Sequence, residues 1–497
     1  MLGMWVTIAV YIVALVVVAV LGSRSSKSVA DLTVGGRQAG AWLSALSYGT
    51  AYFSAVMFVG YAGSAGYSFG LWGVLAGLGN MVFGSLLAWM VLARRTRAIA
   101  AEYNLHTMPE FLEKRYNSKA MRLFSCIVIF VFLIPYSASV YKGLGSLASI
   151  LLGIDDTIFM IIIAVVAALL LLLGGYLVQA RADFVQGIIM IFGVAMLIFF
   201  VVRTQTVGGV DGIIEYAKTA EGLPKLSGKE WWALSSLVLM TSFGTWGLPH
   251  MIQKFFGIRS NAQAKRGIVI STFFALLVAG GGYFIGSLCH LFFSKADFGT
   301  MQSTFGKTFK DYIVPTMLEK AQISSVLLGV VIVLLLAASI STLCSVTLTA
   351  SSTIVLDFWK VVHPKTSDQK LKRSTKLVCL VFVLISYFVA NSQTPILDLM
   401  SYSWGIISSS FLAPYLLSLY YKKTNKTGAW SSALTGFTIA LVPAVCKILD
   451  VAGLANDTIC TLAGYGTQFA VTAMCISLAV CFTVSTITSK RSEQKIA

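Results

Sequence analysis

The residues with the most chemistry to offer lie in apolar surroundings. In LLLAASISTLCSVTLTASSTIVLDFWK, residues Ala338, Ser341, Thr342 and Ser345 recur at i, i+3, i+4 and i+7, on one face of one helix. Hydroxyls on a helix can bond back to a carbonyl one turn earlier. A stripe of them can instead face freed carbonyls of another segment, making an all-oxygen cage suited to a small hard cation. Neutral ligands leave the ion's charge intact, so a membrane potential acts on it with about 2.3 kcal/mol per charge per 100 mV. One acid joins this set: Asp183, in GGYLVQARADFVQGIIM, beside Arg181. It is either a helix cap stabilised by the dipole, a partner for Arg181, or a second cation ligand.

Freed carbonyls require interrupted helices, and two apolar segments have the composition for it. One reads LSYGTAYFSAVMFVGYAGSAGYSFG and the other LMTSFGTWGLPHMIQKFF, both rich in Gly and hydroxyl residues at mid-depth. Small residues also let membrane helices pack closely. The two segments are five spans apart, however, which is the spacing of the broken helices in transporters built from inverted five-helix repeats. Both are therefore expected to unwind.

These segments belong to a chain of 497 residues, 57% hydrophobic and 11% charged, with mean hydropathy +0.82. A soluble protein carries about 25% charged residues, so a water-facing globule is excluded. Runs of about 20 apolar residues predict an all-α integral membrane protein with about thirteen transmembrane helices, near 4–22, 41–66, 71–93, 120–151, 157–178, 183–203, 231–253, 267–293, 323–354, 376–391, 397–420, 429–448 and 463–486. The expected organisation is one transmembrane domain over 1–497. It comprises an extra N-terminal helix (4–22), a first repeat (41–203), a second inverted repeat (231–420) and two peripheral C-terminal helices (429–486). The first run has no basic residue before it and Arg24 and Lys27 after it, the reverse of a cleavable signal peptide. By approximate count, 27 of the 37 Lys and Arg then fall on the inner side, which predicts the N-terminus outside and the C-terminus inside. The net charge of +17 is thus a topology signal and calls for no nucleic-acid partner. The eight cysteines, nearly all in apolar runs and without a CxxC pair, read as small core hydrophobes rather than a disulfide framework.

Several motifs at consistent spacing resemble the sodium/solute symporter family, whose members carry proline, pantothenate, sugars, sialic acid, monocarboxylates or iodide. They are the GGR loop at Gly35–Arg37, SAVMFVG, GGYLVQARADFVQG, GLPH at Gly247–His250, AASISTLCS followed by ASSTIVLDFWK, and APYLLSLYYKKTNKTGA at 413–429. The resemblance implies a thirteen-helix leucine-transporter-like fold in the cell membrane, the inner membrane if the source is bacterial. It also implies sodium as the coupling ion and the only metal. The main sodium site would be formed by the carbonyls of Thr50, Phe53 and Ala338 and the hydroxyls of Ser341 and Thr342. A second site would use Asp183, Ser341 and Ser345, with Cys344, a poor sodium ligand, at a position where a Ser is expected.

For the solute, the resemblance points to Val56, Met57, Thr241, Thr245 and Trp246. Val56 and Met57 stand where sugar carriers have a Glu-Gln pair, and Thr241 and Thr245 where proline carriers have aromatics. An anion or small carboxylate is the expected substrate, with a proline-type amino acid as the alternative. Lys142, in IPYSASVYKGLGSLASILLG, either snorkels to the outer headgroups or points inward to hold a carboxylate. A proton-coupled carrier of the same fold would place a titratable group on the ninth span, where there is none. A sensor would need more than the short tail after about residue 487. An enzyme would need motifs such as HExxH or GxSxG with partners, which are absent. His250, after Pro249, is expected to make a structural hydrogen bond. A monomer bound only to solute, sodium and lipid suffices for this reading.

Overall fold

The computed structural model of the protein describes residues 2–22, 34, 37–173 and 176–496. Gly35 and Gly36 of the GGR loop, and Arg24 and Lys27, lie outside the described residues. Among those described, every regular element is helical apart from an isolated parallel bridge between Ala39 and Ile258. Where side chains face lipid, a helix is the form that satisfies its own backbone polar groups. Eight helical segments are long and apolar enough to cross a membrane, by length and composition. Two shorter apolar helices run Gly3–Val17 and Asp156–Leu171.

The elements that carry the argument are α1 (Leu2–Gly22), α2 (Ala41–Tyr52), α3 (Lys119–Leu152), α4 (Tyr176–Val202), α5 (Gly228–Phe243), α6 (Pro249–Phe256), α7 (Ser325–Thr353), α8 (Asp368–Ala390) and α9 (Ile406–Tyr420). The second and seventh expected spans are both interrupted. Helix α2 stops at Phe53, which is extended (φ −106°, ψ 110°), and helical structure resumes as a π-helical stretch, Val56–Tyr61. That segment then continues into the third expected span through a tight 3-10 corner at Gly70–Gly73. Gly70 has φ +55°, and a Cβ there would lie 2.5 Å from the Glu221 carbonyl oxygen, so glycine is required.

The seventh span breaks between α5 and α6. A 3-10 turn (Gly244–Trp246) leads to Leu248, held extended (φ −82°, ψ 123°) by the proline that follows. Pro249 then opens α6, where its missing N–H costs nothing. A Cβ on Gly247 would stand 2.7 Å from Ser408 Cα, so the break is seated directly on α9. The eleventh span, expected as a plain helix, starts after Pro395 and contains a π-helical turn, Ser401–Gly405, before α9.

Helix α7 is the central post, buried from Val331 through Thr353. It packs against α1, α2, α3, α4 and α8. One end of the bundle is closed by arginines on backbone carbonyls. Arg37 reaches Leu105 (2.8 Å), Arg95 reaches Leu419 (2.5 Å), and Arg97 reaches Ile258 (3.2 Å) and Arg259 (3.1 Å). Arg122 joins Glu110, Glu113 and Asp357 at 2.7–3.0 Å. All eight cysteines are free; Cys460 and Cys475 are exposed, which corrects their reading as core residues, while the other six are buried.

Candidate cation and solute site

The hydroxyl stripe of α7 faces the interrupted end of α2. Thr342 Oγ1 lies 3.1 Å from the Thr50 carbonyl oxygen and 3.0 Å from that of Ala338. Ser341 Oγ is 3.0 Å from Thr50 Oγ1, and Ser339 Oγ accepts the Ala55 N–H at 3.1 Å. Four of the five residues expected at the main ion site, Thr50, Ala338, Ser341 and Thr342, therefore converge on one buried junction. Phe53, the fifth, is buried at the break itself. These oxygens are neutral, and α2 has stopped before its last carbonyls can be paired in the usual helical pattern.

Beside this junction stands an ion pair that the sequence did not disclose. Asp183 on α4 is fully buried, and its Oδ1 accepts from Ser341 Oγ at 2.6 Å. Its Oδ2 accepts from Ser47 Oγ at 2.5 Å and from Lys254 Nζ at 3.1 Å, and Lys254 Nζ also reaches Ser47 Oγ at 2.8 Å. Arg181 is exposed, so the ionic partner of Asp183 is Lys254, from the second half of the broken seventh span. Ser345 is buried one turn further along α7 than Ser341, and Cys344 is buried next to it.

The residues proposed for the solute separate into groups. Val56 and Met57 are buried in the π-helical stretch, with Met57 against Gly282. Thr241, Thr245 and Trp246 have their polar atoms engaged. Thr241 Oγ1 pairs with Asn80 Oδ1 (2.8 Å), Thr245 Oγ1 donates to the Ser242 carbonyl (2.9 Å), and Trp246 Nε1 donates to the Phe83 carbonyl (2.9 Å). Lys142 bonds away from the two helix breaks of the second and seventh spans. Its Nζ donates to the carbonyls of Ser392 (2.5 Å) and Thr394 (2.8 Å), in a polar cavity of about 240 Å³ also lined by Asp156, Asp311 and Tyr312.

A different group of polar atoms at the breaks is unengaged. Neither ring nitrogen of His250 has a hydrogen-bonding partner, which corrects the expectation of a structural bond, and Trp404 Nε1 also has none. Tyr136 stands between them, 5.5 Å from each ring centroid, and Trp404 is 6.0 Å from Tyr52. Aromatic faces with N–H groups among them are the kind of lining that small-molecule sites use. The GLPH motif was the available signal for His250. For Trp404 there was none beyond its place near the start of the eleventh span.

A model of the sodium:solute symporter family matches residues 33–436. The chain belongs to this family. It is therefore a multi-pass membrane transporter, as are its relatives. The high-affinity proline transporter PutP of Bacillus subtilis is 30% identical over 438 residues, covering 86% of this chain and 89% of that one. The sodium/proline symporter of Escherichia coli is 28% identical over 449 residues, covering 88% and 87%. Among solved structures, the substrate-bound outward-open state of a Na+-coupled sialic acid symporter superposes with a TM-score of 0.77 at 16% identity, over 98% of this chain and 97% of that one. A nucleobase-cation-symport-1 family transporter in a closed conformation gives 0.54 at 13% identity, over 92% and 95%. At such identities the likeness is one of fold.

Proposed function

We propose that this family member is a sodium-coupled secondary active symporter that imports a small carboxylate-bearing organic solute by alternating access. The observation that carries this reading is the convergence of the Thr342 hydroxyl with the Thr50 and Ala338 carbonyls at the end of α2. Sodium held there by Thr50, Phe53, Ala338, Ser341 and Thr342 would order the break between α2 and Val56. Solute would then bind the ordered state better than the disordered one, and that difference in affinity is the coupling. The solute would sit among Val56, Met57, Tyr136, His250 and Trp404, with Thr241, Thr245 and Trp246 shaping the wall behind. The proposal includes thirteen crossings as two inverted repeats, the N-terminus outside and the arginine-rich end inside, acting as a monomer.

In proteoliposomes, solute accumulation should collapse when the sodium gradient is abolished and a proton gradient kept; persistence would sink the sodium claim. Thr342→Ala should weaken apparent sodium affinity by at least tenfold, with a smaller effect on melting temperature. A second reading, a proline-type amino acid as the solute, is favoured by the proline carriers among the relatives. Competition of labelled proline uptake by monocarboxylates, pantothenate and sialic acid would separate the two.

A further inference from the structure

We propose that Lys254 is a built-in cation filling the position at which a second sodium ion would otherwise sit, so that the protein exchanges one sodium per chain; this rests on the sodium reading above. The ammonium meets Asp183 Oδ2 at 3.1 Å and Ser47 Oγ at 2.8 Å. It thereby presents a positive charge to a carboxylate and a hydroxyl, as a bound ion would, with N–H donors in place of coordination bonds. Lys254 is 2% exposed and Asp183 0%, so the pair is neutral and shielded from water. A sodium ion ligated by Asp183 would set a second positive charge close to Nζ in a dry site, where like charges repel strongly. Cys344 points the same way: it occupies the place of an expected hydroxyl ligand, and a soft thiol suits a hard cation poorly.

The pair also reaches the main ion site. Asp183 accepts the hydrogen bond of Ser341, whose oxygen is 3.0 Å from Thr50 Oγ1, and so fixes how that oxygen presents its lone pairs. Lys254 is in this sense a positioning residue, acting through Asp183 and Ser341. A sodium ion leaves in each cycle, whereas Lys254 is anchored on α6 and carries its charge wherever that half-helix moves. Lys254 on α6 reaches Ser47 on α2 and Asp183 on α4, and Asp183 in turn reaches Ser341 on α7, so the pair joins both broken helices to the hydroxyl stripe.

The test titrates the purified full-length protein with radioactive sodium alone. The wild type should saturate at one sodium per chain, and Lys254→Met at two, with cooperativity rising accordingly. Lys254→Arg, which keeps the cation, should stay at one. Asp183→Asn/Lys254→Met removes both charges, leaves no unpaired carboxylate to compromise folding, and should also return to one. Two sodium ions on the wild type, the arginine variant or the double variant would overturn the proposal, as would a single one on Lys254→Met. Absence of sodium binding to the wild type would instead sink the sodium reading on which it rests.

Discussion

Lys254 is buried and Lys142 half-buried, and their ammonium groups meet different partners. Lys142 donates to two neutral carbonyls in the segment before Pro395, beside a polar cavity, whereas Lys254 meets a carboxylate in a closed junction. The carbonyls of Ser392 and Thr394 can be hydrated if their lysine is removed, because the cavity adjoins them. Asp183 has no such recourse. The sequence drew attention to Lys142, the more isolated of the two along the chain, yet the structure gives the more consequential surroundings to Lys254.

The largest expected effect breaks the second pair. Lys254→Met, in sodium-free buffer, should lose roughly 3–5 kcal/mol of stability, the cost of leaving a buried charge unpaired. Adding Asp183→Asn should recover most of that loss, a coupling that a double-mutant cycle on melting curves would read directly. If the single variant melts like the wild type, the contrast between the lysines is lost.

A smaller effect comes from the other end of the bundle. Near Lys142, burial holds the Asp311 carboxyl up at about 7, opposed by Lys142 and by the Ile396 N–H that it accepts at 3.1 Å. The folded protein therefore keeps a proton there that the unfolded chain releases above about pH 4. Stability should fall as pH rises from about 4 to about 7 and level off above, with roughly 4 kcal/mol as the ceiling. Asp311→Asn should flatten that part of the melting-temperature profile; an unchanged slope would place the pH dependence elsewhere. Smaller again, Lys142→Met should cost about 1–2 kcal/mol, for two lost bonds to carbonyls that water can reach, and leave sodium affinity untouched. A tenfold change in sodium affinity would show that Lys142 acts on the ion site after all.

Much of this was legible because its signals are local. The apolar runs place helices, Gly and hydroxyl residues mark the breaks after Tyr52 and Phe243, and helical periodicity aligns Ala338, Ser341, Thr342 and Ser345. What escaped is long-range. Lys254 lies 71 residues from Asp183, in a stretch, PHMIQKFF, where a basic residue reads as an ordinary helix-end charge. The free nitrogens of His250 and Trp404 were hidden for the same reason, since a side chain's lack of a partner is a property of the packed interior. The exposure of Cys475 depends on which side of the last helix faces outward, and the low amphipathicity of that helix gave little to decide it, while Cys460 sits on the separate short helix Asp457–Ala463.

The two-residue bridge between Ala39 and Ile258 has a mechanical meaning. Ala39 N–H donates to the Gly257 carbonyl (3.1 Å) and its own carbonyl accepts from Arg259 N–H (3.0 Å), while Gln263 Oε1 takes the Ala41 N–H (2.9 Å). The chain entering the first broken helix is thereby riveted to the chain leaving the second. The first half of one broken span and the second half of the other are tied together at that end. A tilt of α2 is then expected to carry α6 with it, so spin labels flanking the bridge should keep one separation while others across the bundle change.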